Sequence, residues 1–287
     1  MSARSYQPPW RRVIGYAFLV LLAVIFIAPF VISVATSFKT EPDATANPIS
    51  LIPHPPTLSA WQQILGIGPN ASVTDFPRWF VNSVFVSTAI TLGRVFFDSL
   101  AGYSLARLGF RGRKLVFGLV VATLAVPGVV LLIPRFLVLK ELHLFNSYPG
   151  MILPMIVDAT GIFLMRQFFL QVPVSLEEAA KVDGASILRT WWSIVLPIVR
   201  PGLITLTIIS FQGSWNEFQF FEVATISPKY YTLTTGLADI VGGGLSAGNQ
   251  FPLKLGASVL TILPIALLFF VLSKYIVRPR LAGAVKG

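Results

Sequence analysis

The sequence predicts an all-α, polytopic membrane protein with six transmembrane helices, and three observations carry that expectation. Of 287 residues, 54% are hydrophobic and 12% charged, against about 25% charged in a soluble domain. Apolar stretches long enough to cross a bilayer, about 20 residues each, recur along the chain. The charge is also lopsided. With both termini inside, 15 of the 22 Lys and Arg fall on the cytoplasmic side, five outside, and two in or near spans, which is the bias that orients membrane helices. The net charge of +10 does not point to nucleic acid, because the basic residues sit in short blocks beside apolar spans. Without cysteine there are no disulfides, thiolate nucleophiles or thiolate metal sites. His54 and His143 read as loop residues, and no metal site is expected.

The first span is Val13–Ser37, preceded by Arg11 and Arg12. It exceeds the roughly 7 to 15 residues of a signal-peptide core and reads as an uncleaved helix. Residues 38–78 form a connector punctuated by seven prolines from Pro42 to Pro77, with a short helix around Leu58–Leu65. Asn70-Ala71-Ser72 matches a glycosylation triplet, a match too cheap to carry a role. The second span, Phe80–Tyr103, contains Arg94 and Asp98 one turn apart. They read either as a functional intramembrane pair or, more simply, as a snorkelling pair near the end that faces Arg107.

The third span, Leu115–Leu139, is interrupted by Pro127, Gly128 and Pro134. Such breaks suit a helix facing the bundle interior, where freed carbonyls find partners. Span four, Tyr148–Leu170, carries Pro154 and Asp158. A lipid-facing carboxylate at midplane costs roughly 2.5–3.5 kcal/mol, so Asp158 is expected to line a pathway. Span five is Gly202–Phe221, whose outer half holds Trp215-Asn216-Glu217-Phe218, by itself readable as an interfacial aromatic belt. Glu222–Lys254 is a second outer loop with a glycine-rich tip at Gly242-Gly243-Gly244 and Gly248, and span six is Leu255–Val277. The expected division is residues 1–79 (tail, first span, long loop), 80–277 (five-helix core) and 278–287 (tail).

Between spans four and five lies a polar passage, Val172–Pro201. Ser175 and Glu178 have capping-box spacing, which predicts a helix starting at Ser175. Leu176, Ala179 and Ala180 fall on one of its faces, and Asp183-Gly184 suits a turn that stops it. Ser186 is placed to cap a second helix carrying Ile187, Trp191, Ile194 and Val195, with Pro197 and Pro201 ending it. Taken alone, this pattern also fits an amphipathic connector lying on the membrane.

Glu178-Ala179-Ala180, Asp183-Gly184-Ala185 and Leu196-Pro197, followed by Pro201, resemble the EAA signature of permease subunits of binding-protein-dependent ABC importers. Leu108–Lys114 is similar to that family's basic stretch after the second span. Trp215–Phe218 resembles the W-N-[DE]-F run of its carbohydrate (MalG-like) members, and the end at Val285, Lys286 and Gly287 resembles their terminus. Arg278-Pro279-Arg280-Leu281 departs from the turn usual there.

The resemblance implies a type I ABC importer permease fold with a cytoplasmic coupling helix. ATPase coupling would fall to Ser175, Glu178, Ala179, Ala180, Asp183, Gly184, Ala185, Leu196 and Pro197. The translocation pathway would include Trp215, Asn216 and Glu217 with Asp158, and tail contact with the ATPase would fall to Val285, Lys286 and Gly287. Implied partners are a second homologous permease, a cytoplasmic ATPase dimer, an extracytoplasmic solute-binding protein and the bilayer. No G-x-x-x-x-G-K-[ST] phosphate loop occurs. The chain is therefore expected to be no enzyme and to hold no cofactor, with ATP and Mg on the partner ATPase. An ion-coupled secondary transporter is the first rival, but no half-to-half correspondence is visible. An importer of a non-carbohydrate solute is a second. An intramembrane enzyme using Asp98 and Asp158, or Glu217 with Asn216, lacks an adjacent base, metal cluster or motif.

Overall fold

A computed structural model describes residues 9–67, 75–242 and 250–276. Val285, Lys286 and Gly287 lie outside the described residues, as do the Asn70 triplet and Gly243, Gly244 and Gly248. Every regular element among the described residues is helical. Three helices are long and apolar enough to cross a membrane, and three bent pairs become candidate spans when each pair is joined.

Among the described residues, the chain up to Pro77 together with Asp239–Ile262 forms one compact unit. It contains Pro9–Thr36 (α1), Glu41–Ala46 (α2) and Ser59–Leu65 (α3). The apolar part of α1, Val13–Thr36, is 24 residues, or about 36 Å, more than the hydrocarbon thickness. Its side chains are bare over nearly the whole length, as lipid-facing residues would be. The short helix expected near Leu58–Leu65 is α3, whereas α2 was hidden by the surrounding prolines. Beyond α1 the chain is fastened by polar contacts. Lys39 Nζ donates to Asn47 O at 2.6 Å, and Asp43 accepts from the His54 amide at 2.9 Å and from Asn47 Nδ2 at 3.0 Å. The His54 amide first, and then Asn47, hold the Asp43 carboxyl below the usual carboxylate range.

The second unit, Arg78–Ala238 with the chain from Leu263 onward, carries the rest. Its axis is Phe76–Arg107 (α4), 32 residues long. Ser83, Ser87, Thr91 and Asp98 are buried at spacings that keep one face of the helix, so its polar groups turn inward rather than to lipid. Where the third span is expected lie Arg113–Thr123 (α5) and Leu132–Glu141 (α6), joined by a tight turn at Gly128–Leu131 and bent by 98°. The expectation that this span faces the bundle interior is corrected. Nothing in α5 is buried within this chain, and α6 buries only Leu139. Instead α5 rests on its neighbour through rings, with Phe117 stacked on Phe163 and the Arg166 guanidinium 3.9 Å from the Phe117 ring centre. The sequence shows the breakers but not which helices supply the partners.

The expected span four holds Tyr148–Ile152 (α7) with a turn at Leu153–Met155, then Ala159–Leu170 (α8) at 41°. The passage after it contains Val174–Val182 (α9), Ile187–Arg189 (α10), a π-helical stretch at Thr190–Val195, and Leu196–Ile198 (α11). Arg200–Trp215 (α12) follows at 85°. As expected, the second helix ends at these prolines: Ile187–Ile198 stops one residue after Pro197, and Pro201 sits in the first turn of α12, where its missing N–H costs nothing.

The expected outer loop, Glu222–Lys254, holds the end of Gln219–Ala224 (α13) and Leu233–Gly242 (α14), and leads into Phe251–Ile276 (α15). Asn82 on α4 pins the linking strand of chain, donating to Lys229 O and Tyr231 O and accepting from Tyr148 Oη. Ser83 Oγ accepts from the Leu233 amide at 2.7 Å.

Candidate functional site

Two sites flank α8, one at each end. At its N-terminus Asp158 is the helix cap, accepting from the amides of Thr160 at 2.9 Å and Gly161 at 3.3 Å, a position where negative charge is favoured. The break before it frees backbone groups that must be satisfied inside the protein. Arg94 and Asp98 satisfy them. Arg94 Nε donates to Met155 O at 2.7 Å, and Asp98 Oδ1 accepts from the Asp158 amide at 2.9 Å.

The snorkelling pair is thereby overturned. Arg94 and Asp98 lie well inside the 32-residue α4, Asp98 is 0% exposed, and both reach across to the break in span four. Asp98 Oδ2 is buried without a hydrogen-bond partner among the described residues, and a Cβ at position 161 would overlap it. Gly161 is what lets α8 approach that carboxylate.

At the other end of α8, Arg107 Nη2 donates to Phe169 O at 2.6 Å and to Val172 O. Its Nε stands 3.0 Å from Glu177 Oε1, with only 10% and 15% of the two side chains exposed. Tyr103 Oη donates to Glu177 Oε2 at 3.1 Å. Around this cluster pack Met165, Phe169, Val172, Trp191, Val195 and Val199, all buried.

The expected capping box is not formed. The N-cap of α9 is Pro173, with no side-chain bond, so the helix starts before Ser175, and Ser175 lies within it. The carboxylate that matters locally is Glu177, which the spacing argument passed over. A signal for it existed. Glu177 and Ala180 are three apart and share a face, and Ala180 is buried, so Glu177 points inward while Glu178, Ala179 and Leu176 remain exposed.

The turn at Asp183-Gly184 is as expected, with Gly184 at φ 76° and the Ala185 amide donating to Ala180 O. Ser186 caps α10, accepting from the Arg189 amide at 3.4 Å. Leu196 is half-buried and Pro197 exposed.

Trp215 is buried, stacked on Phe211 at 5.4 Å and edge-on to Phe80 at 6.0 Å. Asn216, the C-cap of α12, is exposed. Glu217 Oε1 accepts from the Phe220 amide at 2.9 Å and so caps the first turn of α13. Asp158 belongs to a different cluster from these three. Among the described residues no group of three or more His, Asp or Glu converges to hold a metal ion.

The model of a family described as binding-protein-dependent transport system inner membrane component matches residues 98–281. The chain belongs to this family. The matched stretch begins at Asp98 and takes in all of α8 with both of its ends, Arg94 lying just before it. Relatives agree over almost the full length. The arabinooligosaccharides transport system permease protein of Halalkalibacterium halodurans is 34% identical over 278 residues, 97% of this chain and 96% of the relative. The sn-glycerol-3-phosphate transport system permease protein of Yersinia pestis is 30% identical over 265 residues, 91% and 92% of the two chains. A chain of a bacterial ABC transporter involved in the import of the acidic polysaccharide alginate shares the fold. Its TM-score is 0.80 over 94% of this chain and 99% of its own, at 23% identity. This permease is thus a multi-pass membrane subunit of a binding-protein-dependent transporter.

Proposed function

We propose that this permease is one membrane subunit of an ATP-driven importer for a sugar or sugar derivative. Each bent pair forms one span, giving six, with both termini in the cytoplasm and the chain in the cytoplasmic membrane. Its partners are a second homologous permease, an ATPase dimer that binds ATP and Mg, and an extracytoplasmic solute-binding protein. Segment α9 with the Gly184 turn is the coupling helix. The observation that supports this most is its split character: Glu177 and Ala180 face the chain's own core, while Leu176, Glu178, Ala179 and Val182, the last 87% exposed, leave a partly apolar face bare. A solvent-facing connector has no reason to present such a face.

ATP-driven closure of the ATPase pair would draw the two coupling helices together and tip the spans, opening a midplane cavity to the loaded binding protein. The names of the relatives support a carbohydrate or phosphorylated polyol as the solute. Trp215, Asn216 and Glu217 with Asp158 border the pathway, and Val285, Lys286 and Gly287 touch the ATPase. The test is reconstitution with both partner subunits and the binding protein, offering arabinooligosaccharides and sn-glycerol 3-phosphate in turn. One loaded receptor should stimulate ATP hydrolysis. Uptake driven by an ion gradient without any ATPase would overturn the proposal.

A further inference from the structure

Segment α9 follows α8 after only Gln171, Val172 and Pro173, and its N-cap residue makes no side-chain bond. A joint of that kind is free to flex unless something holds it. One guanidinium does so. Arg107 takes up two carbonyls freed at the end of α8, those of Phe169 and Val172, and faces Glu177 on α9 with its Nε. The Nε–Oε1 approach of 3.0 Å is not aligned as a hydrogen bond, so the contact is a charge pairing. The second Glu177 oxygen is held by Tyr103, one turn before Arg107 on the same face of α4. The planar fork holds its donors in a fixed geometry toward acceptors on both elements, which the freely rotating ammonium of lysine does not. Farther along, Arg94 and Asp98 fasten the same α4 to the other end of α8.

We propose that Arg107, Glu177 and Tyr103 are positioning residues that rivet α9 to α4 and α8, so that displacement of α9 moves both helices as one body. This rests on α9 being the coupling helix.

The absence of cysteine in the chain makes the test direct. Lys181→Cys and Leu92→Cys, both at exposed positions, take spin labels selectively. Their separation is measured by pulsed electron resonance in the assembled complex in nanodiscs, first without nucleotide and then with Mg-ATP and vanadate. A riveted α9 gives one narrow distance, the same in both states. Glu177→Gln keeps the shape but removes the charge, and should broaden the distance and let it shift between states by up to one helical turn, about 5 Å.

Glu177→Asp, which returns the charge, should restore most of the narrow distribution, and Tyr103→Phe should broaden it less than Glu177→Gln. If Glu177→Gln does not assemble, Arg107→Lys serves instead with the same reading. A narrow, state-independent distance in these variants, or a state-dependent one in the unaltered protein, overturns the proposal. Loss of the ATPase from the unaltered permease in a pull-down would instead sink the coupling-helix reading, leaving the intrachain distances to speak for the rivet alone.

Discussion

Gly184 and Gly161 are both glycines for reasons that a substitution can expose. Gly184 holds φ 76°, a conformation costing a residue with Cβ about 1–2 kcal/mol and more if β-branched. Gly184→Val should therefore abolish ATP-hydrolysis stimulation in the assembled importer, while Gly184→Asn, which tolerates that region, should retain most of it. Unchanged stimulation in the valine variant would count against the turn's role in docking. At Gly161 the constraint is space, since a methyl group would overlap Asp98 Oδ2. Gly161→Ala should destabilise by about 1–3 kcal/mol, the range for overpacking, read as a lower midpoint in detergent unfolding. Glu217 ties the Phe220 amide, so Glu217→Ala should cost about 1 kcal/mol through the lost cap. If it also borders the pathway, transport falls while the ATPase stays bound. Loss of the ATPase would assign it to packing alone.

Helix boundaries are where single side chains gain leverage. Between Ile187–Ile198 and α12 the chain turns by 85° across Val199 without a long loop, and Pro201 in the first turn of α12 suits the new helix start. In the other unit the element held by charge is the segment after α1. Asp43 has its carboxyl depressed by the His54 amide and by Asn47. A depressed folded value contributes stability above the unfolded carboxylate value, and that contribution is lost as pH falls through the folded value. Acidification below the ordinary carboxylate range should speed hydrogen exchange at the His54 amide, and Asp43→Asn should remove that pH dependence. Exchange at His54 that ignores pH after correction for the intrinsic rate would show that the carboxylate does not hold this segment.

Across the whole molecule, the proposed function leaves ATP hydrolysis to a separate subunit, so the purified permease alone should show none. Measurable turnover from the isolated chain would contradict its place as a non-catalytic subunit. Periodicity and charge bias made the apolar segments legible, because lipid demands long runs of apolar residues and leaves basic loops on one side. The Gly184 turn and the Ser186 cap were legible too, since each is a local rule of backbone geometry. Pairings across the bundle were not. Arg94 and Asp98, one turn apart, read as partners of each other but each bonds the backbone of span four. Glu177 stood unnoticed beside Glu178 until packing turned one inward and the other out. The sequence by itself determined that the chain is helical and membrane-embedded, because those properties follow from local composition. Only the tertiary structure decided which buried charge meets which carbonyl, because in a dry interior a polar group takes whatever partner the packed helices bring within 3 Å or so.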